Sequence, residues 1–152
     1  MRRSLLAIGI PLLLIGAGCH IEKTPDTGDE RSPYAYPTGV PGAQIAAPEI
    51  TAENQSITEG RIVLGPVTMP ITGWLVAYSN DGEKPGKVIG HGYLYADTYP
   101  EVNIAIDDTS YTGKVYLVVH EDAGAYVEFE FPGVDMPLMI DGTVPTTSFI
   151  IE

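Results

Sequence analysis

The chain has 152 residues, 44% of them hydrophobic, with 17 Gly and 13 Pro, and its formal net charge is −12. A surface this acidic repels phosphate backbones and anionic headgroups, which excludes nucleic-acid binding and polybasic membrane contact as expectations. Cys19 is the only cysteine, so no intramolecular disulfide can form and the fold must hold by packing.

The amino terminus reads Met-Arg-Arg, then an apolar run from Leu5 to Ile15, then Gly16-Ala17-Gly18-Cys19. A positive start, a short apolar stretch and small residues at the end are the parts of an export signal. The run is too short for a spanning helix, which needs about 20 apolar residues, and Gly9 and Pro11 interrupt it. Small residues directly before a single cysteine resemble the lipobox of bacterial lipoproteins, with Gly16 where an aliphatic residue is usual and Ile15 one step further out. That resemblance implies cleavage after residue 18, acylation of Cys19 and a membrane anchor outside the cytoplasmic membrane. Loss of Arg2 and Arg3 would take the mature charge to −14. The expected organisation is therefore a signal peptide over 1–18, a lipid-anchored flexible linker over 19–47 and one domain over 48–152. The linker, from His20 onward HIEKTPDTGDERSPYAYPTGVPGAQIAAP, is polar, rich in Pro and Gly and without period, so it cannot bury enough apolar surface to order itself.

From Glu49 the apolar residues recur with period two, broken by turn residues every eight to twelve positions, which predicts an all-β sandwich. The predicted strands are Ile50–Ile57, Arg61–Thr68 with Pro66 marking an edge or bulge, Gly73–Ser79, Lys87–Tyr95 and Val102–Ile106, then Lys114–His120, Val127–Phe131, Met136–Ile140 and Thr147–Ile151. Lys114–His120 is apolar on both faces and is the predicted central strand. Val127, Phe129 and Phe131 alternate with Glu128 and Glu130 as a half-exposed strand should. No stretch sustains a helical period. The expected fold class is an antiparallel sandwich of about seven to nine short strands.

The run Leu117-Val118-Val119-His120-Glu121-Asp122-Ala123-Gly124, with Glu130-Phe131-Pro132-Gly133-Val134-Asp135-Met136-Pro137 and Ile140-Asp141-Gly142, resembles an uncharacterised Ig-like domain of bacterial and archaeal surface proteins. Gly73-Trp74-Leu75-Val76 and Val88-Ile89-Gly90 fit the same pattern, so the resemblance covers roughly 48–152. It implies an extracellular Ig-like β-sandwich and brings no activity or ligand with it.

Candidate chemistry is sparse. His91, His120 and Asp122 offer imidazole and carboxylate ligands that suit zinc or manganese, and an extracytoplasmic metal-binding module built on them and nearby acids is the alternative to a non-catalytic binding or structural domain. Blue copper is excluded because Cys19 supplies the only thiol. Acid pairs at Asp107-Asp108, Glu121-Asp122 and Asp135 with Asp141 have hard oxygens for calcium but not the spacing of a dedicated loop. No elbow serine or phosphate loop is present, so no enzyme and no cofactor are expected. Tyr93, Tyr95 and Tyr99 are a candidate partner surface, for an envelope protein or for a glycan whose sugars would stack on the rings.

Overall fold

A computed structural model describes residues 44–152. Eight strands form, and among the described residues there is no helix: β1 (Glu49–Thr51), β2 (Arg61–Thr68), β3 (Gly73–Asn80), β4 (Pro85–Leu94), β5 (Thr98–Tyr99), β6 (Val102–Ala105), β7 (Gly113–Glu121) and β8 (Thr146–Ile151). They make two antiparallel four-stranded sheets, one with β2 between β1 and the β5 and β6 pair, the other in the order β4-β3-β7-β8. The chain changes sheet after β2, β4 and β6, the Greek-key order of immunoglobulin-type sandwiches. No helix among these residues is long and apolar enough to cross a membrane.

The period-two pattern fills the space between the sheets. Ile62, Leu64 and Val67 of β2 and Val102 and Ile104 of β6 face Leu75 and Ala77 of β3, Val115, Leu117 and Val119 of β7, and Phe149 and Ile151 of β8. The inward set on β2 jumps from Leu64 to Val67 because Pro66 is an extra residue: Ile50 pairs with Val67 while Thr51 pairs with Gly65. β2 is thus a central strand, not an edge, and its proline sits in a gap between the β6 pairing, which ends at Leu64, and the β5 pairing, which begins at Val67. Glu59-Gly60 and Asp141-Gly142 have positive φ at both positions, the two-residue hairpin geometry their sequence asks for.

Three expected strands differ. Ile50–Ile57 shortens to β1 because residues 54 and 55 leave the first sheet and lace the edge of the second, where Gln55 N donates to Ile150 O, Glu152 N donates to Gln55 O, and Ile150 N donates to Asn54 Oδ1. Met136–Ile140 is only a short bridge beside the end of β7, with Glu121 N donating to Met136 O and Leu138 N to Val119 O. Val127–Phe131 is not a strand. Val127 has φ 59, which breaks an extended run, and the amides of Glu128 and Glu130 go to a turn carbonyl and a carboxylate instead of a ladder. Its alternation reflects something else: Phe129 and Phe131 point onto the outer face of the second sheet, where with Val144 they cover Trp74, Val76, Tyr78, Tyr116 and Val118. The β7 to β8 connection, residues 122–145, is thus a third layer.

At the opposite edge β4 and β6 close the sandwich. Asp107 N donates to Ile89 O at 2.9 Å, and Gly90 lies so near β6 that a Cβ there would stand 2.2 Å from Ala105 O and 2.9 Å from Ile106 Cδ1. Gly90→Ala should therefore force the two strands apart and cost roughly 1–3 kcal/mol, read as a lower urea midpoint with the denaturant slope unchanged.

Candidate functional site

Strand alternation puts His120 on the outer face of β7 beside Val118, under the 122–145 cover, where it is fully buried. Its Nδ1 lies 2.8 Å from Asp135 O. A carbonyl oxygen only accepts, so Nδ1 carries the proton, and the free pair on Nε2 takes the Tyr78 hydroxyl, 2.8 Å away, as donor. Burial pushes the Tyr78 phenol up to about 12, which keeps that donor protonated. Burial also pulls His120 below the ordinary imidazole value, outweighing the Asp135 carbonyl bond and the Asp135 charge, both of which act upward. His120 is a neutral ring with both nitrogens occupied.

Asp135 is the other fully buried polar side chain among the described residues. One carboxylate oxygen accepts from Ala123 N at 3.0 Å and the other from Glu130 N at 2.8 Å. Glu130 Oε2 accepts from Ala125 N at 2.7 Å and Asp122 Oδ2 from Val127 N at 3.3 Å. Gly124 permits this packing, since a Cβ there would collide with Glu130 Oε2 and with Val134 Cγ2 at 2.5 Å. Three acids of the connection thus take up backbone amides that no strand partner satisfies.

The expected metal set does not assemble. His120 has no nitrogen to offer, and Asp122 uses one oxygen on Val127 while the other, Oδ1, is buried without a hydrogen bond, as is Trp74 Nε1. His91 sits exposed on β4 with its ring stacked on Phe129 at 4.5 Å and its edge near Trp74 at 5.4 Å. Among the described residues no three of His, Cys, Asp or Glu come together as metal ligands. Asp108 is likewise engaged locally, its Oδ1 accepting from the hydroxyl and amide of Ser110, which hold its carboxyl below the usual range.

The three candidate tyrosines divide. Tyr93 and Tyr95 meet at 5.6 Å between centroids, and each approaches Tyr126, whose hydroxyl is 3.3 Å from that of Tyr95. Tyr99 turns to the inner core and ties the β4 to β5 connection, accepting from Tyr95 N and donating to Tyr95 O. Tyr126, Phe129 and Phe131 were not candidates in the sequence. The signal that points to them is the apolar outer face of β3 and β7, which requires a cover.

Beside this cover the outer face opens into an apolar depression of about 360 Å³ lined by Tyr78, Pro85, Val118, Phe131, Pro137 and Val144. Pro85 and Gly86 also border a polar hollow that contains Lys84 and Lys87. Cys19, expected as the lipid-attachment residue, and the expected signal peptide and linker up to residue 43 lie outside the described residues.

A family model for a domain of unknown function, DUF7282, matches residues 48–151. The chain belongs to this family. No curated protein and no solved structure matches it. The DUF7282 match runs from the residue before β1 to the last residue of β8, so the family unit includes the 122–145 cover as well as both sheets.

Two outcomes follow for the DUF7282 domain. The unfolded chain takes up a proton on His120 near pH 6.5 that the folded domain resists, so stability present above that pH is lost as pH falls toward the lower folded value. Urea midpoints should drop between about pH 7 and about pH 5.5, and His120→Gln should flatten that slope. Asp135→Asn replaces an accepting oxygen with an amide nitrogen facing an N–H and should cost roughly 1–3 kcal/mol at neutral pH, measured by the same unfolding.

Proposed function

We propose that the protein is a lipoprotein displayed outside the cytoplasmic membrane through Cys19, whose immunoglobulin-like domain works by binding and performs no chemistry of its own. One observation supports the binding half. Of the nine large hydrophobic side chains exposed among the described residues, Tyr126, Val127, Val134, Met136 and Met139 belong to the 122–145 connection, and a sixth, Tyr95, touches Tyr126. Scattered apolar residues are ordinary on a surface, whereas concentration on one segment marks a contact region. The titratable groups under that segment, His120 and Asp135, are taken up by its own hydrogen bonds, which favours a presented surface over a reaction centre.

The anchor half rests on the position of the cysteine after Gly16-Ala17-Gly18. Acylation at Cys19 would bury many methylenes at about 0.8 kcal/mol each, enough to hold the chain at a membrane without a spanning helix. Intact mass and fractionation test it: the native chain should begin at Cys19, carry acyl mass and sediment with membranes, and Cys19→Ala should lose both properties. A native chain that is cleaved, unacylated and soluble would make this a secreted protein and overturn the anchor.

A further inference from the structure

Charge divides the domain along its strands. Residues 44–152 hold 16 acidic side chains and four basic ones, Arg61, Lys84, Lys87 and Lys114. In the second sheet Asn80 pairs with Pro85 and Ser79 with Val115, which places Lys84, Lys87 and Lys114 at the β3 to β4 hairpin. The opposite end of that sheet is marked by Gly73, whose partners are Leu94 and Glu121. Arg61 is just as far away: it begins β2, whose last residue, Thr68, meets Thr98 with the two hydroxyls 3.2 Å apart. Strand lengths of this order hold the two ends about 20 Å apart, well beyond the screening length of about 8 Å at physiological salt. Among the described residues no basic side chain accompanies the Gly73 end.

That end carries acids and tyrosines together. Tyr95 directly follows Leu94, and Asp122 directly follows Glu121. Asp97 and Glu128 are exposed, and Glu128 N donates to Ala125 O to close the turn that holds Tyr126. On either side of that tyrosine, Ala125 N and Val127 N donate to Glu130 and Asp122. The rings themselves are fixed. Tyr93 stands edge-on to Tyr95 at 5.6 Å and to Tyr126 at 6.0 Å, and edge-on to buried Trp74 at 5.0 Å. Tyr95 and Tyr126 nevertheless stay 51% and 53% exposed.

Electron-rich ring faces beside carboxylates, with no cation near, suit one class of group, a cation. A guanidinium suits them best, because it lies flat on a ring while its N–H fork reaches a carboxylate. Solubility accounts for the acids but not for half-exposed rings fixed among them. An uncharged sugar would gain from the rings alone, and an acidic peptide would be repelled.

We propose that the cluster of Tyr93, Tyr95 and Tyr126 binds a basic peptide segment of a partner protein, with an arginine laid against Tyr95 and Tyr126 and neighbouring cations drawn to Asp97 and Glu128. This names the partner chemistry of the contact region described above; it rests on the reading of the domain as a binding module and is independent of the lipid anchor.

The probe is an end-blocked peptide, Arg-Gly-Arg-Leu-Arg-Gly, carrying an uncharged nitrobenzoxadiazole dye. It is titrated with the full chain in the uncharged detergent octaethylene glycol dodecyl ether and followed by anisotropy. Saturable binding that weakens with added salt is expected. Tyr95→Ser with Tyr126→Ser leaves the charge unchanged and should weaken it about tenfold. Glu128→Lys, one exposed charge reversed, should weaken it by a similar factor. Glu59→Gln with Asp107→Asn, two exposed acids at the Arg61 end, should change it less than about twofold. Unfolding midpoints equal to the native chain's attribute the losses to the site, and if the tyrosine variant is destabilised, Glu128→Lys decides. No saturable binding up to about 1 mM, undiminished affinity in the tyrosine variant or in Glu128→Lys, or an equal loss in the Arg61-end variant overturns the proposal. Equal affinity for Gln-Gly-Gln-Leu-Gln-Gly overturns the basic partner while leaving the binding module in place. Displacement by chitotetraose at lower concentration than by unlabelled peptide would assign the rings to a glycan and likewise overturn it.

Discussion

The pairing of β3 with β7 places large apolar side chains on both faces of one sheet, and that double burial dictates what the rest of the chain must supply. Leu75, Ala77, Leu117 and Val119 require the opposing sheet, which β1, β2, β5 and β6 provide. Trp74, Val76, Tyr78, Tyr116 and Val118 require a second cover, and among the described residues the β7 to β8 connection is the long segment that makes it. A segment crossing a flat apolar face without strand partners leaves its amides unpaired, at a cost of about 1–3 kcal/mol for each one that is buried. Asp122, Glu130 and Asp135 answer that cost by accepting from four backbone amides. The Tyr78–His120–Asp135 series then fastens the cover to the sheet through groups that are fully or nearly buried.

Residues that in isolation suggest catalysis or metal binding are consumed by this structural task. An imidazole beside two carboxylates reads as a ligand set only while its partners are unknown. Once Nδ1 is committed to a carbonyl and Nε2 to a phenol, the same imidazole is a neutral spacer between layers. Acidic side chains that donate nothing and accept readily are suited to a connection with many idle N–H groups, and their position along the chain follows the amides they serve.

The fold was legible wherever pattern and partner agree. β2, β3, β4, β6, β7 and β8 lie within two residues of their expected bounds because alternation in those stretches coincides with a real ladder. Val127 to Phe131 shows where pattern alone misleads, since period two says that alternate side chains are buried but not that the backbone is paired. Pro66 marked an edge or a bulge, and the register shows the bulge in a strand that is paired on both sides. The two-residue β5 has too little sequence to carry a signal. For the site, His120 and Asp122 were legible as polar residues at a strand end, but their partners come from 42 and five positions away, distances set by topology. Tyr126 was invisible for the same reason: its neighbours Tyr93 and Tyr95 arrive from another strand.

The lacing at the two margins of the second sheet has a consequence for how copies of this domain coexist. A flat sheet with open margins is a template on which a neighbour can continue the ladder, and the risk grows with local concentration. Here the β8 margin is occupied by Asn54 and Gln55, and the β4 margin gives Ile89 O to Asp107. At those positions a neighbouring copy meets main-chain groups that are already bonded within the domain. Close packing of copies therefore finds no main-chain group to extend the ladder from at Ile150 or at Ile89 O, and the margins are blunted at those points.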